Sequence, residues 1–534
     1  MQASYIPYQQ TNQFSKLMGD YVNQNKELTP FYKAFPSIES LQQQANLKKN
    51  DFSKTNRATL YSELLLQYES ISHTSATLKN LNLLKKDNSV TITTGHQLCL
   101  MTGPLYFIYK IITVVKLCQE LNDKNDGNHY LPVYWMATED HDFEEIQSFL
   151  FEGKKIQWDR PSGKAVGRMD LEGMDAVFDI FETHLGTSKN AVALKALIEK
   201  SYRNASTLAE ATRKLVHELF GEYGVLIVDG DSSALKKIFI PAIKADLLNQ
   251  NCFDKVNEQT KKMQSNYDQS YKPQVNPREI NMFYLNKSGR YRIVKEGTIY
   301  RLEGHDRQFS EASILKELDQ YPERFSPNVM LRPLYQEIIL PNICYIGGGG
   351  ELAYWLELKF FFENQKTPFP ILFLRNSALL IETKLTKKQA QLAISNKDLF
   401  LDRNTLINKK IRQISNIDLD LSSFKKQLEE QFNYLEGLIQ KTDASFEGTV
   451  RAQKAKQFKG IEKLEKRLLK AQKKKLKDQV IRMTELHRAL FPKNGLQERQ
   501  LNFAYFYLAL GQDFISMLVE NFHPLSFEFT IIEY

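Results

Sequence analysis

The chain has 534 residues, 42% of them apolar, with 71 Lys/Arg against 63 Asp/Glu and a formal charge of +8. That length exceeds one compact core, so two or more structural units are expected. No run of about 18 apolar residues occurs, and the opening MQASYIPYQQTNQF lacks a charged-then-apolar leader pattern, so the expectation is a cytoplasmic protein without a membrane span.

Val90 to Leu117 reads as a short β-branched strand, a polar turn broken by Gly95, and a long apolar helix running from about Pro104 to Leu121. His96 and Gln97 fall where an open parallel sheet holds its ligands, past the carboxyl end of a strand. Gly95, His96, Gln97 and, at the second turn, Thr102 and Gly103 are therefore candidate substrate or nucleotide contacts. The same spacing also suits an ordinary strand-to-helix connection. Cys99, Cys118, Cys252 and Cys344 are widely spaced without a CxxC pair, which argues against a disulfide scaffold or zinc ribbon. Cys99 is the one thiol near this motif, and it also reads as a small buried hydrophobe.

A second strand, Pro132 to Ala137, ends in Glu139, Asp140, His141 and Asp142. Ionisable groups crowded at a strand end are costly to desolvate unless they bind something or stay wet. His141 between two aspartates suits a general base, because a carboxylate orients the imidazole and raises its basicity. The cluster also suits Mg²⁺ through oxygen ligands, whereas the HExxH and Cys/His spacings of catalytic zinc are missing and no metal ligand is assigned. Asp142, Glu144 and Glu145 equally fit an acidic helix N-terminus.

A third strand, within Glu222 to Asp231, has the continuous apolar run of a strand covered on both faces. Three strands, each followed by helix, predict an α/β fold with a doubly wound sheet. Asn281 to Glu303 alternates apolar and polar residues around a Lys-Ser-Gly turn and reads as an inserted β-hairpin or meander, with no functional signal of its own.

Arg324 to Phe362 carries the longest polar constellation: Asn328, Arg332, Gln336 and Glu337, then a strand over Ile343 to Ile346, then Gly347, Gly348, Gly349 and Gly350, then a helix opening at Glu351. Four glycines let backbone approach a ligand closely and can form an anion-binding concavity. The run is neither a P-loop nor GxGxxG, and a tight turn explains it equally well. Arg332 is the natural partner of an anion, since its guanidinium grips carboxylate or phosphate bidentately; a salt bridge to Glu337 is the alternative.

TTGHQLCLMTGPLYFIYKI, the strand ending EDHD, RFSPNVMLRPLYQE and GGGGELAYWLELK, in this order and spacing, resemble the BshC family of bacillithiol biosynthesis over essentially the whole chain. The resemblance implies a Rossmann-like core with inserted connecting subdomains, a long antiparallel coiled-coil arm that dimerises, and ligation of L-cysteine to glucosaminyl malate.

After Pro370 no proline recurs until Pro492, and the pattern turns helical. Leu421, Phe424, Leu428, Phe432, Leu435 and Ile439, then Phe458, Ile461, Leu464 and Leu468, recur at three- and four-residue steps. Two helices with a break near Asp443 to Gly448 suggest an antiparallel hairpin. Arg451 to Leu490 holds 14 Lys/Arg against 4 Asp/Glu, more positive charge than the whole chain's +8. RNA, anionic lipid or nucleotide phosphate can bind such a stretch, but without interleaved aromatics a solvated coiled-coil face is the better reading. Neither a nucleic-acid partner nor a membrane is expected.

The expected organisation is a core over residues 1–375 with insertions at about 151–215 and 255–322, the latter β-rich. The arm covers 376–491, and 492–534 fold back on the core or the dimer interface. Amide formation from a carboxylate is uphill in water, so a ligase activates it, most simply with ATP and Mg. The turn at Gly95 to Gln97 and the glycine run would cradle an anion, His141 with Asp140 or Asp142 would act as base, and Arg332 would hold an anionic group. A dimeric scaffold that binds a nucleotide or thiol, or a ligase with another amino acid or sugar, would need similar residues.

Overall fold

The computed structural model describes residues 2–161, 163–439, 441, 443 and 445–534. Five strands build the central sheet: β1 (Ser89–His96), β2 (His129–Met136), β3 (Leu226–Asp229), β4 (Asn342–Gly347) and β5 (Ile371–Leu374). They lie in the order β5-β4-β1-β2-β3, and every neighbouring pair is parallel. Read from the far edge this is 3-2-1-4-5, the doubly wound Rossmann order, whose topological switch point lies between β1 and β4.

The strands are buried because both faces are covered, and the polar Thr91 and Thr93 of β1 are satisfied by Asn342 of β4. Val90, Ile92, Ile343, Ile346, Ile371 and Phe373 form one layer with Leu41 and Ala45 of the helix Ile38–Asp51 and with Val114 and Leu117 of α1 (Tyr106–Asn122). The α1 helix starts two residues beyond Pro104, because Met101, Thr102 and Gly103 adopt positive φ and turn the chain first. Two further helices frame the switch point: α2 (Arg332–Ile339), entered through Pro333, and α3 (Gly349–Trp355).

The segment between β2 and β3 adds a hairpin, Ser148–Phe151 with Lys154–Gln157, and several helices. The segment between β3 and β4 carries an antiparallel sheet of five strands. It extends the expected meander through Met282–Leu285, Arg290–Glu296 and Ile299–Leu302 to His305–Ser310 and Phe325–Pro327.

Directly after β5, the strand Ala378–Ile381 pairs in parallel with Glu528–Glu533, which pairs antiparallel with Gln2–Pro7. Both ends of the chain are thereby tied to the core.

The arm consists of α4 (Ser422–Ile439) and α5 (Ser445–Lys475). Lys425 reaches Glu465 while Lys454 reaches Glu436, so the two helices run antiparallel. Of the expected break, residue 444 lies outside the described residues, and the helix resumes at Ser445, which places Gly448 inside α5. Phe432 and Val450 are buried between the helices, but Phe424 and Leu464 are each 59% exposed. No helix among the described residues is long and apolar enough to cross a membrane.

Ile92 is fully buried at the centre of β1. Ile92→Ala should lower the stability of the core by about 2–5 kcal/mol through lost transfer energy and a residual cavity. Urea unfolding followed by the fluorescence of Trp135 and Trp355 checks this, and an unchanged midpoint would show that β1 is not central.

Candidate active site

A cavity of about 750 Å³ opens beyond the carboxyl ends of β1, β2 and β4, a size in the usual range for small-molecule sites. Gly95, His96, Gln97, Glu139, Asp140 and His141 line it from the first two strand ends. Asn328, Arg332, Gly348, Gly349, Gly350 and Glu351 line it from the other side of the switch point. The order of the strands brings these two sets together although His141 and Asn328, their nearest members in sequence, are 187 residues apart.

The floor is built on charge. Lys110, inside the apolar α1, is 2% exposed, donates to the Gly95 carbonyl at 2.9 Å and pairs with Glu351 at 2.5 Å. Burial lowers the pKa of Lys110 and opposes ionisation of Glu351, but each charge offsets the other's loss of water and Glu351 stays below the usual carboxylate range. Glu351 also accepts from the Tyr345 hydroxyl at 2.8 Å and from the Gly348 amide at 2.9 Å.

This last bond occupies one amide of the expected glycine cradle, while Gly348, Gly349 and Gly350 line the cavity. The helix opens at Gly349, not at Glu351, and Glu351 caps it from the third position. None of the four glycines has positive φ. Close packing explains one of them, since a Cβ on Gly349 would stand 2.9 Å from the Met18 side chain.

Arg332 opens α2 and forms no ion pair among the described residues, although the Tyr354 and Tyr345 hydroxyls and Glu351 lie near enough to favour its charge. Its Nη1 donates to Gln336 Oε1 at 2.9 Å, while its buried Nη2 has no hydrogen-bond acceptor. No carboxylate stands within ion-pair distance of it among the described residues, so the alternative of a bridge to Glu337 is not formed. Gln336 is turned by Glu337, to which its amide donates at 2.8 Å, and Asn342 donates to the same oxygen at 2.7 Å. Burial pushes Glu337 up to about 7. A cation at a helix N-terminus also opposes the helix dipole. An anion from outside the chain would relieve both costs.

The opposite wall is acidic. Gln97 Nε2 donates to Asp140 and to Glu145, 2.8 Å each, so the amide ties β1 to the end of β2. Burial would raise Asp140, but hydrogen bonds from His141 and Gln97 and the nearby Arg290 charge outweigh it and hold the carboxyl well below its ordinary value. His141 Nδ1 lies 3.1 Å from Arg290 Nη1 and 3.5 Å from Asp140 Oδ1. The arginine must donate, which favours the tautomer with its proton on Nε2; for Nε2 to act as a base, Nδ1 must leave Arg290 and carry its proton toward Asp140. Glu139 pairs with the fully buried Lys236. His96, packed on Tyr106 and Phe107, is held neutral by burial and by the cations Lys110 and Arg375.

Five expected residues stand off the cavity. Thr102 and Gly103 form a buried turn that Asn502 holds through the Met101 and Gly103 carbonyls, 2.7 Å each. Asp142 caps the short helix Phe143–Ile146. Gln336 and Gly347 lie behind Arg332 and Glu351 without lining the space. Asn328 lines it, yet its side chain is spent on the amides of Met330 and Leu331 and on Asn281. Burial pushes the Cys99 thiol up to about 12, which leaves it unreactive. Sequence reasoning missed Lys110, Arg290 and Arg375. A lysine within an apolar helix was the one available signal.

Two family models divide this chain: the BshC N-terminal Rossmann-like domain of bacillithiol biosynthesis matches residues 1–376, and the BshC C-terminal coiled-coil domain matches 378–534. Fold and cavity thus define a Rossmann-like enzyme carrying a coiled-coil arm. Proteins named "Putative cysteine ligase BshC" from Christiangramia forsetii and Flavobacterium johnsoniae are each 47% identical to it, covering 100% of this chain and 99% and 100% of their own lengths. One of the same name from Bacillus cereus is 27% identical, with 96% of each chain covered. The chain belongs to the BshC family of bacillithiol biosynthesis and is a ligase.

Because Glu337 ionises near pH 7 when folded but near 4.5 when unfolded, the folded state holds the extra proton between those values. Its contribution therefore falls as pH rises from 5 to 8, by on the order of 3 kcal/mol. Glu337→Gln should remove that part of the decline in urea titrations at the two pH values; parallel curves for variant and wild type would contradict it.

Proposed function

We propose that the chain joins the carboxylate of L-cysteine to the amine of glucosaminyl malate, the last step of bacillithiol formation. The observation that carries this reading is Arg332: a half-buried cation in no ion pair among the described residues, at the switch point of the sheet and lining the cavity. Both substrates present carboxylates that such a guanidinium recognises. The acidic wall at Glu139, Asp140 and Glu145 suits the opposite need, since it attracts the protonated amine.

ATP with Mg²⁺ is the co-substrate this reading brings in, and it supplies the activation that makes the carboxylate carbon electrophilic. The remaining work falls to the chain. Arg332 fixes an anionic oxygen, with Gln336 and Glu337 holding its plane. His141, once its Nδ1 has turned from Arg290 to donate its proton toward Asp140, takes the amine proton at Nε2 as nitrogen attacks the acyl carbon and the bond from that carbon to the activating group's oxygen breaks, the oxygen leaving with the phosphate. Gln97 keeps Asp140 in place for that exchange. Asp142 and the turn at Thr102 and Gly103 take supporting parts, as their distance from the cavity suggests.

The arm adds a second part to the proposal. Phe424, Tyr434 and Leu464 are exposed on a coiled-coil hairpin, and a second copy of the chain is the partner that covers them. We place the enzyme in the cytoplasm, where both substrates and ATP would be met.

Purified protein with cysteine and glucosaminyl malate, analysed by mass spectrometry, is expected to yield the amide only with Mg-ATP; no product under any condition would overturn the reading. His141→Ala should cut turnover about 10²-fold or more, and unchanged turnover would remove His141 from the scheme. Arg332→Lys should mainly raise KM, because a point charge loses the planar fork. Sedimentation should give twice the 62.0 kDa chain mass, and Leu464→Glu should return it to one chain.

A further inference from the structure

Arg375 follows β5 directly and is 4% exposed on the floor of the same cavity. Its plane is locked from three sides. Nη1 donates to the Asn376 carbonyl at 2.9 Å and to Ser377 Oγ at 3.0 Å, and Nη2 donates to Glu498 Oε1 at 2.7 Å. Glu498, 1% exposed, comes from the C-terminal segment and is itself fixed by Ser377 and by the Ala378 amide. The remaining buried donor, Nε, has no acceptor. It faces Gly348, where an added Cβ would stand 3.7 Å from Nε and 3.6 Å from Glu351 Oε2.

Arg332 stands on the other side of the Lys110–Glu351 pair, 3.6 Å from where a Cβ on Gly95 would lie. Its Nη2 also has no acceptor. Two guanidiniums thus flank one ion pair, each with a buried donor that has no acceptor among the described residues. Buried donors left unmade are costly, and a ligand oxygen would relieve that cost.

We propose that Arg375 and Arg332 clamp one anionic group of the ligand, a carboxylate or a phosphoryl, and that Glu498 is the positioning residue that aims Arg375. The clamp rests on the reading of this cavity as the ligase site. Glu498 already neutralises Arg375, so Arg375 contributes direction while Arg332 contributes net charge. The absent side chain at Gly348 keeps the approach to Nε open.

Calorimetric titration of the full chain with L-malate, and separately with inorganic pyrophosphate, tests the clamp and tells its two sources apart. Wild type should bind one of them saturably. Arg332→Lys and Arg375→Lys should each weaken that binding about 10-fold or more, and the double variant by much less than the product of the two, because both donors serve one anion. Gly348→Ala keeps an allowed backbone, φ −77° and ψ 168°, so it should fold normally and still weaken binding by shielding Nε. Glu498→Ala should lose as much as Arg375→Lys, and Glu498→Gln, which keeps the hydrogen bond, should restore most of it.

Wild-type affinity in a folded Arg375→Lys, effects that simply multiply, or no binding of either anion by wild type would overturn the clamp. The readout is binding, so it decides the matter whether or not amide is formed. Amide formation by Arg375→Lys with unchanged KM would overturn the clamp and leave the ligase reading standing.

Discussion

A half-buried arginine that forms no ion pair among the described residues, and whose Nη2 is buried without an acceptor, is the constraint around which this site is arranged. Arg332 sits at the first turn of α2, where the helix dipole already favours negative charge. Its guanidinium donates to a neutral amide, Gln336, and to no carboxylate among the described residues. Proteins tolerate such a charge when surrounding structure fixes it and a ligand completes it. Here the fixing is visible as a chain of contacts: Glu337 turns Gln336, Gln336 presents its oxygen to Arg332, and Asn342 at the start of β4 holds Glu337. Thr93 on β1 holds Asn342 in turn, at 2.8 Å. The network therefore crosses the switch point and couples the guanidinium to both strands that define it.

Neighbouring charges are settled differently, which is why Arg332 stands out. Lys110 has Glu351, Lys236 has Glu139, and Arg375 has Glu498. Glu351 is the most heavily used, since it caps α3, accepts from Tyr345 and neutralises Lys110. Its cap occupies the amide of Gly348, the second glycine of the run. The far wall inverts the sign, with Gln97 gathering Asp140 and Glu145. A cavity positive at its floor and negative along one wall suits a substrate pair that offers a carboxylate at one end and an amine at the other.

Much of this was legible in the residues. The β-branched run before Gly95, the acidic cluster after β2, and the polar approach to the glycine run each mark a strand end, because a parallel sheet writes continuous apolar strands and ends them in polar turns. The parts that were not legible share one cause: they depend on contacts between distant segments. Arg290 lies in an inserted β-strand whose alternation only says that one face is wet, and only the folded chain brings it 3.1 Å from His141. Arg375 follows an ordinary apolar strand, and its partner Glu498 lies 123 residues later. Thr102 and Gly103 erred the other way, since a turn next to a site looks the same in sequence whether it faces the cavity or, as here, serves as an anchor for Asn502.

The most direct test of the account is a crystal structure of the protein with glucosaminyl malate and cysteine bound. A carboxylate or phosphoryl oxygen within about 3 Å of the Arg332 guanidinium, at the switch point between β1 and β4, is the predicted result. Ligand bound elsewhere, with Arg332 still held by Gln336 alone, would contradict the claim that this unpaired charge defines the site.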